Sequence, residues 1–342
     1  QEGAVAPEID RNRRGAHHGS PILTKSPAGV MPMNETHVSP PTPAAPAFQA
    51  ETPLADAQGI DFHMHSTASD GALSPAALMS LCHERGLTRL SLTDHDTLDG
   101  VAEAQEAADA LGMTLLPGLE LSSQWQGMNI HVVGLLPQGA QGSLVAGLEA
   151  QAKARVTRGE EIARRMEKLG LHDALAKART QAGSDRPLGR PDFARAMVAD
   201  GLVKDMGTAF KKYLGSGKRG DVKAGWPYLS EVVEWINDAG GVAVLAHPLR
   251  YGLTRRKRGL LLDAFTAAGG EACELVSGFQ NADVTRDLAR QLDERGLYGS
   301  LGSDFHFPGG PVAPGSMSPV PRTALRPVWQ HPRLAALLAE AA

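Results

Sequence analysis

The stretch Ile60-Asp61-Phe62-His63-Met64-His65-Ser66-Thr67-Ala68-Ser69-Asp70-Gly71 decides how this chain is read. Ile60 to His65 has the composition of a short buried strand. Alternate side chains of a strand project to one side, so His63 and His65 point together. Two imidazoles at a strand end can hold one divalent metal ion. Asp70 follows a short polar turn and adds a carboxylate to the same rim. Taken alone, the pair would serve equally well as two partly exposed histidines. The rest of the chain raises it above that, because every later cluster of His with Asp or Glu also falls at the end of an apolar, strand-like run.

The chain has 342 residues, 42% of them hydrophobic, enough for one large domain plus an appendage or for two domains. A formal charge of −4 provides no global basic field, so duplex DNA is not an expected partner, although a local basic patch is compatible with it. Cys82 and Cys273 sit in apolar contexts and form neither a CxxC site nor a disulfide framework, which fits a reducing cytoplasm. No run approaches the roughly 20 apolar residues of a membrane span. The N-terminus lacks the continuous apolar core of a secretory signal.

Residues 1–57 are rich in Pro, Ala, Gly and Ser and are expected to be a disordered tail, with His17, His18 and His37 solvated. From Ile60 onward, strands and helices alternate. Ser74-Pro75 reads as a helix start, with Ser as N-cap and Pro at the first helical position. Leu87–Leu92 is the next strand and delivers Thr93-Asp94-His95-Asp96. Met113–Leu116 leads to Pro117-Gly118-Leu119-Glu120, and Ile130–Leu135 carries His131. Residues 58–150 thus read as the first part of a mainly parallel, closed or nearly closed barrel. Residues 151–228 are expected to be a helical insertion. The barrel resumes over 229–342, with Ser230 as a helix cap and the strand Val242–Ala246 ending at His247-Pro248. Cys273–Val276 follows, then Leu297–Gly302 with Ser303-Asp304-Phe305-His306 at its end. Active sites in such folds lie at the C-terminal ends of the strands.

Six of the twelve histidines fall at strand ends: His63, His65, His95, His131, His247 and His306. Asp70, Glu120 and Asp304 accompany them. Nine such donors are too many for one ion and fit two or three clustered divalent ions, with a carboxylate such as Glu120 able to bridge two.

The HxH at His63/His65, the TDHD around His95, the PGLE glutamate, the AHP of His247 and the SDFH of Asp304 and His306 resemble the PHP (polymerase and histidinol phosphatase) family. The resemblance covers roughly residues 59 to 310. In order and length the chain looks most like the bacterial 3′,5′-nucleoside bisphosphate phosphatases, whose relatives trim RNA from the 5′ end. The resemblance implies an α/β fold, a distorted (β/α)7 barrel with an inserted small helical domain, and a site for three divalent ions. By matching position, His63, His65, Glu120 and Asp304 would hold the first ion. Glu120 would bridge to a second held by His131 and His247. Asp70, His95 and His306 would hold the third. Asp94 and Asp96 would stand behind these ligands, orienting imidazoles or closing the turn. Mn²⁺ is the favoured ion from the family, with Fe²⁺ or Zn²⁺ as alternatives that the mixed His and carboxylate donors also suit. Asp70 and His247 are the candidate catalytic groups for protonating the leaving oxygen.

Arginines of the insertion bear on the substrate. Arg155 and Arg158 are three apart and share a helix face. By spacing alone they are part of a solvated, charged helix. The family resemblance instead assigns them, with Arg190 in the Gly-Arg-Pro turn, to gripping a 5′-phosphate, for which a guanidinium pair has the right bidentate geometry. Asp70 would also touch substrate. The expected substrates are nucleoside 3′,5′-bisphosphates and short 5′-phosphorylated single-stranded RNA. Lys211, Lys212, Lys218 and Arg219 would steer a longer strand or merely decorate the surface. Arg255–Arg258 reads as a solvated loop or a nucleic-acid rim. Two rival expectations remain: a phosphatase for a small metabolite such as histidinol phosphate, and a metal-stabilised regulatory module without turnover.

Overall fold

The computed structural model describes residues 53–223 and 225–339. Most of the expected Pro/Ala-rich tail, with His17, His18 and His37, therefore lies outside the described residues. The end of that segment is ordered, because Leu54–Asp56 forms a 3₁₀ turn with Leu54 buried in the core.

Three short parallel strands, β1 (Ile60–Asp61), β2 (Arg89–Leu90) and β3 (Thr114–Leu115), make one sheet in that order. A second sheet contains β4 (Gly118–Trp125), β5 (Met128–Leu135), β6 (Val242–Leu245), β7 (Ala272–Ser277) and β8 (Tyr298–Gly302), also in chain order. β4–β5 and β5–β6 pair antiparallel, whereas β6–β7 and β7–β8 pair parallel. The barrel is thus two sheets and not one continuous closed sheet. Single bridges join them at the seams, Met64 with Phe305 and His95 with Glu120. His65 N donates to Phe305 O at 2.9 Å, and Asp304 N to His63 O at 2.8 Å. Both seams fall on residues of the His and carboxylate set, so strand pairing itself draws those side chains together.

Helices α1 (Pro75–Glu84) and α2 (Val101–Ala110) cover the first sheet. Ser74 caps α1 by accepting from Ala77 N at 3.2 Å, as the Ser-Pro signal predicts. Their shared core contains Met64, Leu78, Cys82, Leu92 and Phe305. Phe62, Leu119, Val132, Val244, Leu275 and Leu301 belong to the main core between the five-stranded sheet and its helices. Burying each such side chain contributes about 1.5–3 kcal/mol before the entropy of ordering the chain is charged.

Helix α3 (Ser143–Glu167) is followed by α4 (Ala174–Ala182), α5 (Arg190–Ala199) and α6 (Met206–Ala209), which runs into a π-helical turn at Phe210–Leu214. These pieces share a separate core of Ile162, Met166, Phe193, Met197 and Leu214. A boundary at residue 151 falls inside α3, and one unbroken helix serves both parts. Its first half lies on the barrel helix α7 (Leu229–Asp238), where a Cβ on Gly147 would come within 2.6 Å of the Trp235 ring. The cap of α7 is Tyr228 and not the expected Ser230, because the Glu231 carboxylate three residues on accepts from Tyr228 N at 2.6 Å. Helices α8 (Arg255–Ala267), α9 (Ala282–Asp293) and α10 (Pro332–Ala339) complete the chain. Among the described residues no helix is long and apolar enough to cross a membrane.

Candidate metal and phosphate site

His63 and His65 leave β1 side by side, both fully buried. Gly302 makes room for them at the end of β8, since a Cβ there would sit 2.3 Å from His63 Cβ. His63 Nε2 and His65 Nε2 are 3.1 Å apart, and each lies 3.3 Å from Glu120 Oε2. Asp304 Oδ1 closes the group at 3.4 Å from His63 Nε2 and 3.1 Å from His65 Nε2. Donor atoms on a four-coordinate ion with bonds of about 2.0–2.1 Å stand roughly 3.3 Å apart. The spacing of this group therefore matches the donor shell of one divalent cation.

Glu120 divides its two oxygens. Oε2 faces His63, His65 and, at 3.1 Å, His95 Nδ1. Oε1 faces His131 Nδ1 at 2.9 Å and His247 Nε2 at 2.8 Å. A third group gathers on Asp70, 3.3 Å from His306 Nε2 and 3.9 Å from both His65 Nδ1 and His95 Nε2. All nine sequence-identified donors are thus brought together. The donors fit divalent ions on a further observation: His65 Nδ1 and His95 Nδ1, which face Asp70 and Glu120, have no hydrogen-bond partner. His131 departs from the strand-end pattern. It lies within antiparallel β5, opposite Ser122, and reaches the rim because the β4–β5 hairpin extends past it.

The charges are mutually dependent. Burial would raise the pKa of Glu120, yet His131, His95 and His63 hold it well below the ordinary range. Burial acts the same way on Asp70 and Asp304, and the neighbouring imidazoles, His306 foremost for Asp70 and His63 for Asp304, override it. Burial lowers His306, but Asp70 and Asp304 lift it to about 10. His95 is kept well below its usual value by burial.

Three left-handed non-glycine residues stand at this rim: Asp96 with φ 54°, His247 with φ 30° and Asp304 with φ 56°. Such conformations store strain and concentrate at functional sites. Asp96 and Asp94 close turns and do not orient imidazoles. Asp94 accepts from Ser66 N at 2.8 Å and from the hydroxyls of Ser66 and Ser69 at 2.6 and 2.5 Å. Asp96 accepts from Ser122 N at 2.6 Å.

The imidazole-orienting carboxylate is Glu274, which the sequence reading passed over as part of a strand. Glu274 Oε1 lies 2.7 Å from His63 Nδ1, leaving His63 Nε2 for a cation, and Oε2 accepts from His247 N at 2.6 Å. A lone carboxylate within the apolar run Ala272–Ser277 was the available signal. Asp61 behaves similarly, accepting from His63 N at 3.2 Å and Ser303 N at 2.9 Å, while burial pushes its pKa up to about 6.

A cleft of about 490 Å³ opens over the cluster. Asp70, Glu120, His131 and His247 line one side, and Arg155, Arg158, Arg190 and Trp226 line the other. Arg158 is buried, donates through Nε to Val222 O at 3.0 Å, and has its guanidinium 5.9 Å from the Trp226 ring centre. Burial, with Arg190 and Arg155 adding repulsion, lowers the pKa of Arg158 to about 10. Arg190 donates to Leu214 O at 3.3 Å. Arg155 is anchored, with Nε on Asp96 at 2.5 Å and Nη2 on Ser122 Oγ at 3.1 Å. Three crowded guanidiniums facing one space favour an anion there. Arg195, Arg250 and Phe307 also line the cleft; of these, Arg195 and Phe307 were missed by the sequence reading. Arg250 bonds Asp304 Oδ2.

Other sequence candidates stand apart. Lys211, Lys212, Lys218 and Arg219 are exposed and outside the cleft. Arg255–Arg258 is not a loop but the first turn of α8, where Arg255 and Arg258 pair with Asp287 at 2.8 and 2.6 Å.

The family model described as "PHP domain" matches residues 61–181. A 5′-3′ exoribonuclease of Haemophilus influenzae is 41% identical over 270 residues, covering 79% of this chain and 97% of that protein. A 3′,5′-nucleoside bisphosphate phosphatase of Chromobacterium violaceum is 40% identical over 273 residues, covering 80% of this chain and 95% of its own length. A solved structure described as an amidohydrolase from Chromobacterium violaceum, with sulfate bound and no metal, superposes with a TM-score of 0.75 at 40% identity, over 82% of this chain and 96% of that one.

Proposed function

The chain belongs to the PHP family, and on that premise we propose that it is a metal-dependent phosphoesterase that removes the 3′-phosphate of nucleoside 3′,5′-bisphosphates and trims short 5′-phosphorylated RNA from its 5′ end. The observation that carries this reading is the cleft in which Arg158 and Arg190 face the cluster of imidazoles and carboxylates. One anionic group would rest on the arginines while a second, one ribose away, is presented to the cluster.

His63, His65, Glu120 and Asp304 would hold one ion, Glu120, His131 and His247 a second, and Asp70, His95 and His306 a third. Nitrogen and oxygen donors without thiolate suit Mn²⁺, Fe²⁺ or Zn²⁺, with Mn²⁺ favoured. Bound there, such ions lower the pKa of water and neutralise phosphate oxygens. The protein's own groups do the rest. Arg158 and Arg190 bind the 5′-phosphate, and Arg155 stiffens the wall beside them. Glu274 holds the His63 ring, and His247 is the candidate to hand a proton to the departing O3′, since the neighbouring imidazoles keep Asp70 ionised. The helical part, 151–228, would be the phosphate-binding domain. The two buried free cysteines and the described helices suit a cytoplasmic enzyme.

The test is phosphate release from adenosine 3′,5′-bisphosphate with Mn²⁺, compared with 3′-AMP, 5′-AMP and histidinol phosphate, for wild type and Arg158→Ala. A preference for the bisphosphate that the variant loses is expected. Equal rates on all four, unmoved by the variant, would return the arginines to a structural role. No turnover on any would favour a regulatory module.

A further inference from the structure

Beside the cleft lies a second cavity of about 310 Å³, at the lower end of the roughly 300–1,000 Å³ range of small-molecule sites. The two share Asp70, His95, Arg155 and Gly189 as walls. Arg155, tied to Asp96 and Ser122, stands between them as a fixed pillar. Leu98, Leu148 and Pro187 give the second cavity an apolar lining. Its two arginines are already engaged, Arg155 with Asp96 and Arg186 with Asp192 at 2.7 Å. Asp99 and Glu149 also line it, and both are exposed. It is therefore suited to a neutral, partly apolar group and unsuited to a phosphate.

The two activities proposed above are one reaction. Water adds to phosphorus, the P–O3′ bond breaks, and O3′ leaves with a proton on the nucleoside 5′-phosphate held by the arginines. From a bisphosphate the other product is inorganic phosphate. From RNA it is a strand with a new 5′-phosphate. Only the RNA phosphorus carries an O5′-linked nucleoside that stays attached throughout, and that nucleoside needs space beside the same metal-binding residues. We infer that the second cavity is the subsite for the nucleoside on the 3′ side of the scissile phosphate of RNA, resting on Leu98, Leu148 and Pro187. Strand polarity follows: the 5′-phosphate sits among guanidiniums that spend only part of their donor capacity on the protein, the downstream nucleoside among apolar groups. This rests on the reading under Proposed function.

The test fills the cavity from an exposed helix position with Ala152→Trp and reads the ratio of kcat/KM for a 5′-phosphorylated diadenylate to that for adenosine 3′,5′-bisphosphate. That ratio is expected to fall tenfold or more, mainly through KM. Binding of a 3′-fluorescent, 5′-phosphorylated RNA to the metal-stripped chain should weaken in parallel. Glu149→Lys serves as a second variant at an exposed position. It should raise the trinucleotide rate relative to the dinucleotide at low salt, because the next phosphate then meets a cation. An unchanged ratio in both variants overturns the inference while leaving the bisphosphatase reading standing. So does a ratio lowered by Phe307→Ala and not by Ala152→Trp, which would send the strand past His306. A wild type inert on both substrates removes the proposed function and this inference together.

Discussion

The barrel rim and the helical segment meet across one cleft but are built on opposite principles. Rim donors are buried or half-buried, anchored by backbone pairing and fixed by further carboxylates: His63 by Glu274, and the Ser66 turn by Asp94. The arginines project from helices, crowd one another and use only part of their donor capacity on protein carbonyls. A set of oxygens and nitrogens that must sit within a few tenths of an ångström belongs on strands. A set that must follow a variable substrate belongs on an appended helical layer. The comparison predicts that rim substitutions stop turnover outright, whereas helical ones shift substrate choice.

The largest effect should come from Glu120→Gln, which removes the charge shared by two donor groups. A loss of at least about a thousandfold in kcat is expected, with a fall in bound metal by elemental analysis. Full metal content with near-normal kcat would break the comparison at its stronger end. Arg158→Lys keeps a charge but loses the planar fork, so KM for the bisphosphate should rise by about 10–100-fold while the rate on 3′-AMP holds. An equal loss on both substrates would make Arg158 structural. Glu274→Gln tests whether anchoring matters as much as ligation: metal affinity should fall by about 10–100-fold with the fold intact by circular dichroism.

The smallest effect is in protons. With no ion bound, His306 stays protonated to about pH 10 because Asp70 and Asp304 face it. An ion binding there must displace that proton, so affinity should rise with pH by up to about tenfold per unit below 10. Calorimetric titration at pH 7 in buffers of differing ionisation heat should reveal the release, and buffer-independent heats would refute it. For stability the signs run oppositely in the metal-free chain. The raised His306 pKa contributes fully below its ordinary value of 6.5 and is lost as pH climbs through about 10. The depressed Asp70 and Asp304 contribute above 3.8 and are lost in acid.

The ease of reading differed between the two regions for a physical reason. His63, His65, His95, His247, Asp304 and His306 each follow a strand, and a strand fixes where its end points. The donor set was therefore legible from alternation and apolar runs. His131 was found as a residue but not as a strand geometry, since nothing in Ile130–Leu135 distinguishes an antiparallel hairpin from a parallel unit. Glu274 was missed because a carboxylate inside a strand declares itself only when its partners, 211 positions away in the case of His63, are known. The division of the barrel into two sheets depends on strands only two residues long, below what periodicity resolves. On the helices, spacing placed Arg155 and Arg158 on one face but could not say that Asp96 would occupy the first and that Trp226 would lie beside both.

The left-handed backbone at Asp96, His247 and Asp304 has a consequence for anyone evolving this enzyme toward heat tolerance. Each position stores about 1–3 kcal/mol of backbone strain that a glycine would relieve, set against the bonds its side chain makes. A screen scored only on survival after heating would be drawn to whichever of these codons has bonds worth less than its strain. The hardier descendants would keep their shape while discarding their chemistry, so selection here has to reward turnover and endurance in the same round.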